Sequence, residues 1–203
     1  MLVFIGLGLH DEKDITLKGL EEARSCDELY AEFYTSILRG TTLEEISASV
    51  GKDVKLLDRK DLEENADNTI LKGARSKKVG LLVAGDPLIS TTHVQVRLRA
   101  KEFGIETRVV HNASIYSASA SISGLQNYKF GKSASIPFPE EGYIPETPYD
   151  VINENTARGL HTLLFLDIKV EGGYRLMTAN EAIDILLNVE EKRGEGVFTE
   201  ETL

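Results

Sequence analysis

The sequence predicts an α/β protein. Three observations carry this reading. Short apolar runs alternate with segments of helical periodicity. Residues 79–84 are continuously apolar, as in a parallel strand covered on both faces. Glycines stand at the ends of two of these runs, Gly6 and Gly85. A chain of 203 residues has room for one or two domains.

Leu2-Val3-Phe4-Ile5 reads as a buried strand ending at Gly6. Residues 16–26 read as a helix, with Leu17, Leu20, Ala23 and Arg24 at helical spacing. Thr42-Leu43-Glu44-Glu45 is a capping box that opens a helix through Ile46 and Val50, closed by Gly51. Residues 54–57 form a second short strand. Asp61 is expected to cap a helix with Leu62, Ala66, Ile70 and Ala74 on its inner face. After the strand at 79–84, a helix buries Val94, Leu98 and Phe103 and stops at Gly104, and residues 107–110 form the next strand. The first 110 residues thus read β-α-α-β-α-β-α-β.

The second part is less regular. Residues 114–124 are either a Ser-rich linker or a short helix. The helix is preferred, because Ile115, Ala118 and Ile122 share one face. Pro137, Pro139, Pro145 and Pro148 keep residues 133–148 mostly extended or in loops. A helix over 149–158 stops at Gly159, and 161–168 read as a buried strand. A second capping box, Thr178-Ala179-Asn180-Glu181, opens a helix that buries Ala182, Ile183, Leu186, Leu187 and Val189. The turn after it leads into no further strand, so this part is expected to be incomplete and cut short at its C-terminus.

Composition excludes several classes. One cysteine, Cys26, forms no disulfide framework or thiolate zinc site and fits a reducing compartment. No apolar run approaches the length of a membrane span, and no secretion signal precedes the first strand. A soluble, cytoplasmic protein is expected. Net charge is −10, unevenly placed: residues 140–203 hold 14 acids against 5 bases, the rest 19 against 18. That balance argues against a nucleic-acid partner, which needs a basic footprint.

Few motifs carry chemistry. Gly6-Leu7-Gly8 leaves the first strand, but position 11, where a dinucleotide fingerprint needs its third glycine, is Asp11. Gly85-Asp86-Pro87 leaves the most apolar strand, and Asp86 can accept from backbone amides or from a ligand. Two glycine-bearing strand exits in one sheet point to a shared ligand crevice at the carboxyl ends of the strands. His10, His93, His111 and His161 show no metal-ligand spacing, so no metal is expected. Neither a nucleophile elbow nor a phosphate-binding glycine-lysine loop is present, and no acid/base pair stands out.

Six segments together resemble one family. They are Phe4-Ile5-Gly6-Leu7-Gly8-Leu9, Ala31-Glu32-Phe33-Tyr34-Thr35-Ser36, Gly85-Asp86-Pro87-Leu88 with Thr91-Thr92-His93, Ser114-Ile115-Tyr116-Ser117-Ala118, Tyr128-Lys129-Phe130-Gly131-Lys132-Ser133, and the run from Gly159 to Ile168. They resemble the diphthine synthases, a family of tetrapyrrole-methylase-like methyltransferases, in order along the whole chain. The resemblance implies two α/β domains of the tetrapyrrole methylase type with an interdomain cleft, divided as 1–112 and 113–203. It implies S-adenosyl-L-methionine as methyl donor, held by Leu9, Asp86, Ile89, Ser114, Ile115 and Leu166. The acceptor implied is the amino group of 2-(3-carboxy-3-aminopropyl)-histidine in translation elongation factor 2, on the route to diphthamide, and the implied assembly is a homodimer. No catalytic base is assigned. The alternatives are a same-fold methylase of a corrinoid precursor or ribosomal RNA, and a non-catalytic, degenerate binding protein.

Overall fold

The computed structural model describes residues 1–170 and 173–202. The chain divides into two compact units, 1–118 and 119–203.

The first unit is built on one parallel sheet. Its strands are β1 (Leu2–Gly6), β2 (Glu28–Glu32), β3 (Val54–Leu56), β4 (Val79–Val83) and β5 (Thr107–Val110). Their spatial order is β3-β2-β4-β1-β5. β1 pairs with β4 from Leu2↔Val79 to Gly6↔Val83, and with β5 from Leu2↔Thr107 to Ile5↔Val110. Every residue of β1 and of β4 is buried, as a continuous apolar run predicts. Val3, Ile5, Leu29, Ala31, Leu82 and Val110 pack on one face with α1 (Leu17–Ser25) and α2 (Leu43–Val50). The alternate residues Leu2, Phe4, Leu81 and Val83 are also fully buried. Helices α3 (Arg59–Glu63), α4 (Ile70–Ala74) and α5 (His93–Glu102) complete this unit; α4 lies on β4 and α5 on β5.

The Thr42–Glu45 capping box forms as expected, and Gly51 ends α2 in the left-handed conformation. Other expectations are corrected. Strand β2 replaces the direct helix-to-helix passage. Its segment, Glu-Leu-Tyr-Ala-Glu, hides behind charged ends, yet Leu29 and Ala31 are core and the Glu32 carboxylate is buried on backbone amides. The single helix expected after Asp61 is two short ones. Asp58 is the cap of the first, and Asp61, the third residue of the helix, completes that capping box. Leu62, Ala66, Ile70 and Ala74 are buried all the same. Helix α5 turns the other way from the expected one: His93, Val96 and Ala100 are inside, while Val94, Leu98 and Phe103 are exposed. In α1, Gly19 and Ala23 face the core and Leu17 is 82% exposed.

The division between units falls within α6 (Ile115–Ser123), which forms as a helix and ends at Gly124. Its buried residue is Ala120, not the expected face; Ile122 is 81% exposed. The second unit holds two two-stranded sheets. β6 (Ala134–Ile136) pairs parallel with β7 (Leu164–Leu166), and β8 (Ile168–Lys169) pairs antiparallel with β9 (Arg175–Leu176). The stretch 133–148 therefore contributes a strand, and the long strand expected at 161–168 is short and only half-buried. Helices α7 (Thr147–Thr156) and α8 (Ala179–Arg193) pack together over Ile136, Tyr149, Ile152, Leu186 and Val189. The capping box at Thr178 is present. On α8, Ile185 is buried where Ile183 was expected, and Ile183 is exposed. Leu203 lies outside the described residues. Among these, no helix is long and apolar enough to cross a membrane.

Candidate functional site

The carboxyl ends of β1, β4 and β5 are neighbours, and their exits are tied to one another. Gly8 leaves the first strand at φ +86° and Gly85 leaves the fourth at φ +71°. Each donates its N–H to the other's carbonyl: Gly85 N to Gly8 O at 2.7 Å, Gly8 N to Gly85 O at 3.3 Å. Gly6 must also lack a side chain, because a Cβ there would stand 2.6 Å from Gly85 O and 2.7 Å from Asn112 Cβ. Asn112 brings in the β5 exit. Its Nδ2 donates to Gly6 O and to Asp14 O, each at 3.0 Å. Asp14 closes a single 3-10 turn, Glu12–Asp14, and its carboxylate accepts the amides of Leu9 and His10.

Asp86 is the charged centre of this cluster and is only 7% exposed. Its Oδ1 accepts Leu88 N at 3.2 Å, and its Oδ2 lies 2.8 Å from His111 Nδ1 and accepts Asn112 N at 3.3 Å. Ser114 opens α6, and its hydroxyl oxygen accepts Tyr116 N. A Cβ built on Gly85 would point at Ala113 O and Ser114 Cα, both 3.9 Å away. The bare Gly85 backbone and the start of α6 therefore bound a space of about one methyl group. Leu9, Ile89 and Ile115 expose apolar side chains from the same three exits.

Of the site residues expected from sequence, Leu9, Asp86, Ile89, Ser114 and Ile115 belong to these exits. Leu166 belongs to the second unit, exposed at the end of β7. Beside it, the Asp167 carboxylate accepts the amides of Phe138 and Ile168. Sequence reasoning missed His111, Asn112 and Asp14. The available signal was position: His111 and Asn112 are the first two residues after a correctly placed strand, at the same sheet end as both glycine motifs.

A second, buried layer supports the Asp86 loop. Glu32 and His93 are both fully buried. Glu32 accepts Tyr34 N, Thr35 N and the Thr35 hydroxyl. His93 Nδ1 lies 3.2 Å from the Pro87 carbonyl. A carbonyl only accepts, so Nδ1 carries the proton. Nε2 then stands 3.4 Å from Glu32 Oε1 without a hydrogen bond. Burial pushes the His93 imidazole below its ordinary range, against the pull of Glu32. His93 thus links the β2 end to the loop carrying Asp86.

Among the described residues, no cluster of three or more His, Cys, Asp or Glu is arranged to hold a metal ion. Cys26 is buried, and burial pushes its thiol up to about 11, so it offers no nucleophile. The exits do fit a cationic donor. A buried carboxylate favours positive charge beside it, bare glycine backbone permits close approach, and three exposed apolar side chains offer cover for an aromatic base.

Comparison with known proteins gives the family. The family described as Tetrapyrrole (Corrin/Porphyrin) Methylases matches residues 1–198. A diphthine synthase of Methanocella arvoryzae is 58% identical over 196 residues, covering 97% of this chain and 76% of the relative. One from Methanocaldococcus jannaschii is 51% identical over 203 residues, covering 100% and 78%. A crystal structure of a diphthine synthase superposes with a TM-score of 0.85 at 43% identity, over 94% of this chain and 72% of that one. The chain therefore belongs to the tetrapyrrole methylase family, as an S-adenosylmethionine-dependent methyltransferase of the diphthine synthase type.

Proposed function

We propose that the chain methylates the amino group of 2-(3-carboxy-3-aminopropyl)-histidine in translation elongation factor 2. The donor sits at the tied strand exits, held by Leu9, Asp86, Ile89, Ser114 and Ile115. Leu166 is a further donor contact that the family resemblance implies. The observation that carries the reading is the cross-linking of three exits around one buried carboxylate, Asp86. Bound S-adenosylmethionine supplies a methyl group already activated by its sulfonium. The chain's own residues then have to bind, align and exclude water. Asp86 provides negative charge for a cation. The exposed Leu9, Ile89 and Ile115 provide apolar surface. Gly8 and Gly85 keep the backbone open.

An elongation-factor substrate is consistent with a cytoplasmic, homodimeric enzyme, and size measurement in solution tests the dimer. The functional test is transfer of labelled methyl groups to two preparations of elongation factor 2, with and without the aminocarboxypropyl group. The expected outcome is labelling of the modified factor alone, since an unmodified histidine offers no aliphatic amine at near-attack distance of about 3–3.5 Å. Equal labelling of both, or labelling only of a corrinoid or RNA acceptor, overturns this assignment.

A further inference from the structure

We propose that His111 is the proton acceptor of the methyl transfer, oriented for that role by Asp86. This rests on the reading of the acceptor as an amine. The pair is 25 residues apart in sequence and is joined by the 2.8 Å contact between His111 Nδ1 and Asp86 Oδ2. An ionised carboxylate only accepts, so Nδ1 carries the proton, and in the neutral imidazole the lone pair is left on Nε2. The two partners differ in access: the Asp86 side chain is 7% exposed and that of His111 is 74% exposed. Asp86 is further pinned by the amides of Leu88 and Asn112. A fixed, buried carboxylate behind an accessible imidazole is the arrangement that makes histidine a directed base.

Position supports the assignment. His111 leaves β5 three residues before Ser114 and contacts Asp86, so it borders the proposed donor contacts directly. The other histidines are occupied elsewhere. His93 is fully buried with Nδ1 on Pro87. His10 lies against Gly40, where an added Cβ would meet its Nε2 at 2.5 Å. His161, in the second unit, packs on Phe130 at 5.5 Å between ring centres. Asp86 is the ionisable group in contact with His111, and the carboxylate of Asp14, which Asn112 ties to the same exits, is taken by the Leu9 and His10 amides.

The chemistry requires such a group. An aliphatic ammonium has no lone pair and must lose a proton before it attacks. The new N–C bond forms as the C–S bond breaks, and that bond's electron pair returns to sulfur, leaving a neutral thioether. The product nitrogen is positive, and a further methylation at it requires loss of another proton. His111 Nε2 takes each proton, becomes an imidazolium opposite the Asp86 carboxylate, and passes the proton to water. Charge and atoms balance without any other reactant.

Two measurements on the full chain test this. Imidazole nitrogen resonances of the resting protein at pH 8 should show His111 with Nδ1 protonated and Nε2 bare; a protonated Nε2 overturns the proposal. In the transfer assay, His111→Ala should lower kcat by about 10²–10⁴-fold, with donor affinity measured by calorimetry within about threefold. Added imidazole should restore part of the lost rate. A rate like wild type, or a lowered rate that imidazole does not raise, overturns the proposal. Wild-type protein that labels no modified factor defeats the acceptor reading instead, and the resonances still judge the dyad.

Discussion

The two units hold themselves together differently. In the first, β1 and β4 are buried along their whole length, and the alternate side chains feed two apolar faces. In the second, no residue of β7 is buried, and the core is made chiefly by α7 and α8. Polar clasps do more there. Glu190 accepts the Tyr149 hydroxyl and the amides of Gly196, Val197 and Phe198. Arg193 reaches Asp150 and Glu195 and lies over the Tyr149 ring at 4.6 Å. Asn155 binds both the amide and the carbonyl of Lys132. A wide parallel sheet can cover its central strands on both sides. Two-stranded pieces cannot, so side chains must satisfy the backbone that they leave open.

The largest expected difference is in core truncation. Leu82→Ala removes a fully buried side chain and should cost roughly 2–5 kcal/mol. Leu164→Ala removes a half-buried one and should cost less than about 2 kcal/mol. Denaturant unfolding, with hydrogen exchange read at 79–83 and 164–166, checks this. Equal losses would erase the contrast.

Glycine substitutions sharpen it next. Gly6→Ala drives a methyl group into Gly85 O and Asn112 Cβ. About 1–3 kcal/mol of overpacking is expected, together with at least a tenfold loss of donor affinity in calorimetry. Gly159→Ala meets nothing within 4 Å and pays only for its φ of +64°, about 1–2 kcal/mol. Unchanged donor affinity in Gly6→Ala would show that the tied exits do not shape the donor site.

The smallest effects are in pH dependence, and they separate the units by window. His93 is held below its ordinary range by burial. The unfolded chain therefore binds the proton more readily, and this contribution to the first unit is lost as pH falls below about 6.5. Glu190 is lowered to about 2, first by the Phe198 amide and then by the Tyr149 hydroxyl. Its contribution is complete above the usual carboxylate range and is lost only as pH falls toward 2. The advantage of wild type over His93→Gln should shrink between pH 7 and 5, while Glu190→Gln differs from wild type by a constant amount there. Amide exchange at 79–83 and at 196–198 reads both, and a reversed order would break the comparison.

Local chemistry in the sequence determined most elements. Capping boxes at Thr42 and Thr178, glycine stops at Gly51, Gly104, Gly124 and Gly159, and the apolar runs of β1 and β4 act within a few residues of themselves. The two glycine strand exits were legible for the same reason. Which face a helix buries was legible in α2 and in the segment after Asp61, but not in α5 or α6. Leu98 and Ile122 have helical spacing and apolar character, yet Ala100 and Ala120 face inward, because close packing against a neighbour selects small side chains that periodicity does not rank. Strand β2 escaped notice because Glu32 is charged in sequence and satisfied only by its folded neighbours Tyr34 and Thr35. Asp86 was visible as a turn residue, but its partner His111 arrives from β5, two strands across the sheet from β4 with β1 between them. No spacing along the chain encodes that meeting; it exists only once the parallel sheet brings the three carboxyl ends together.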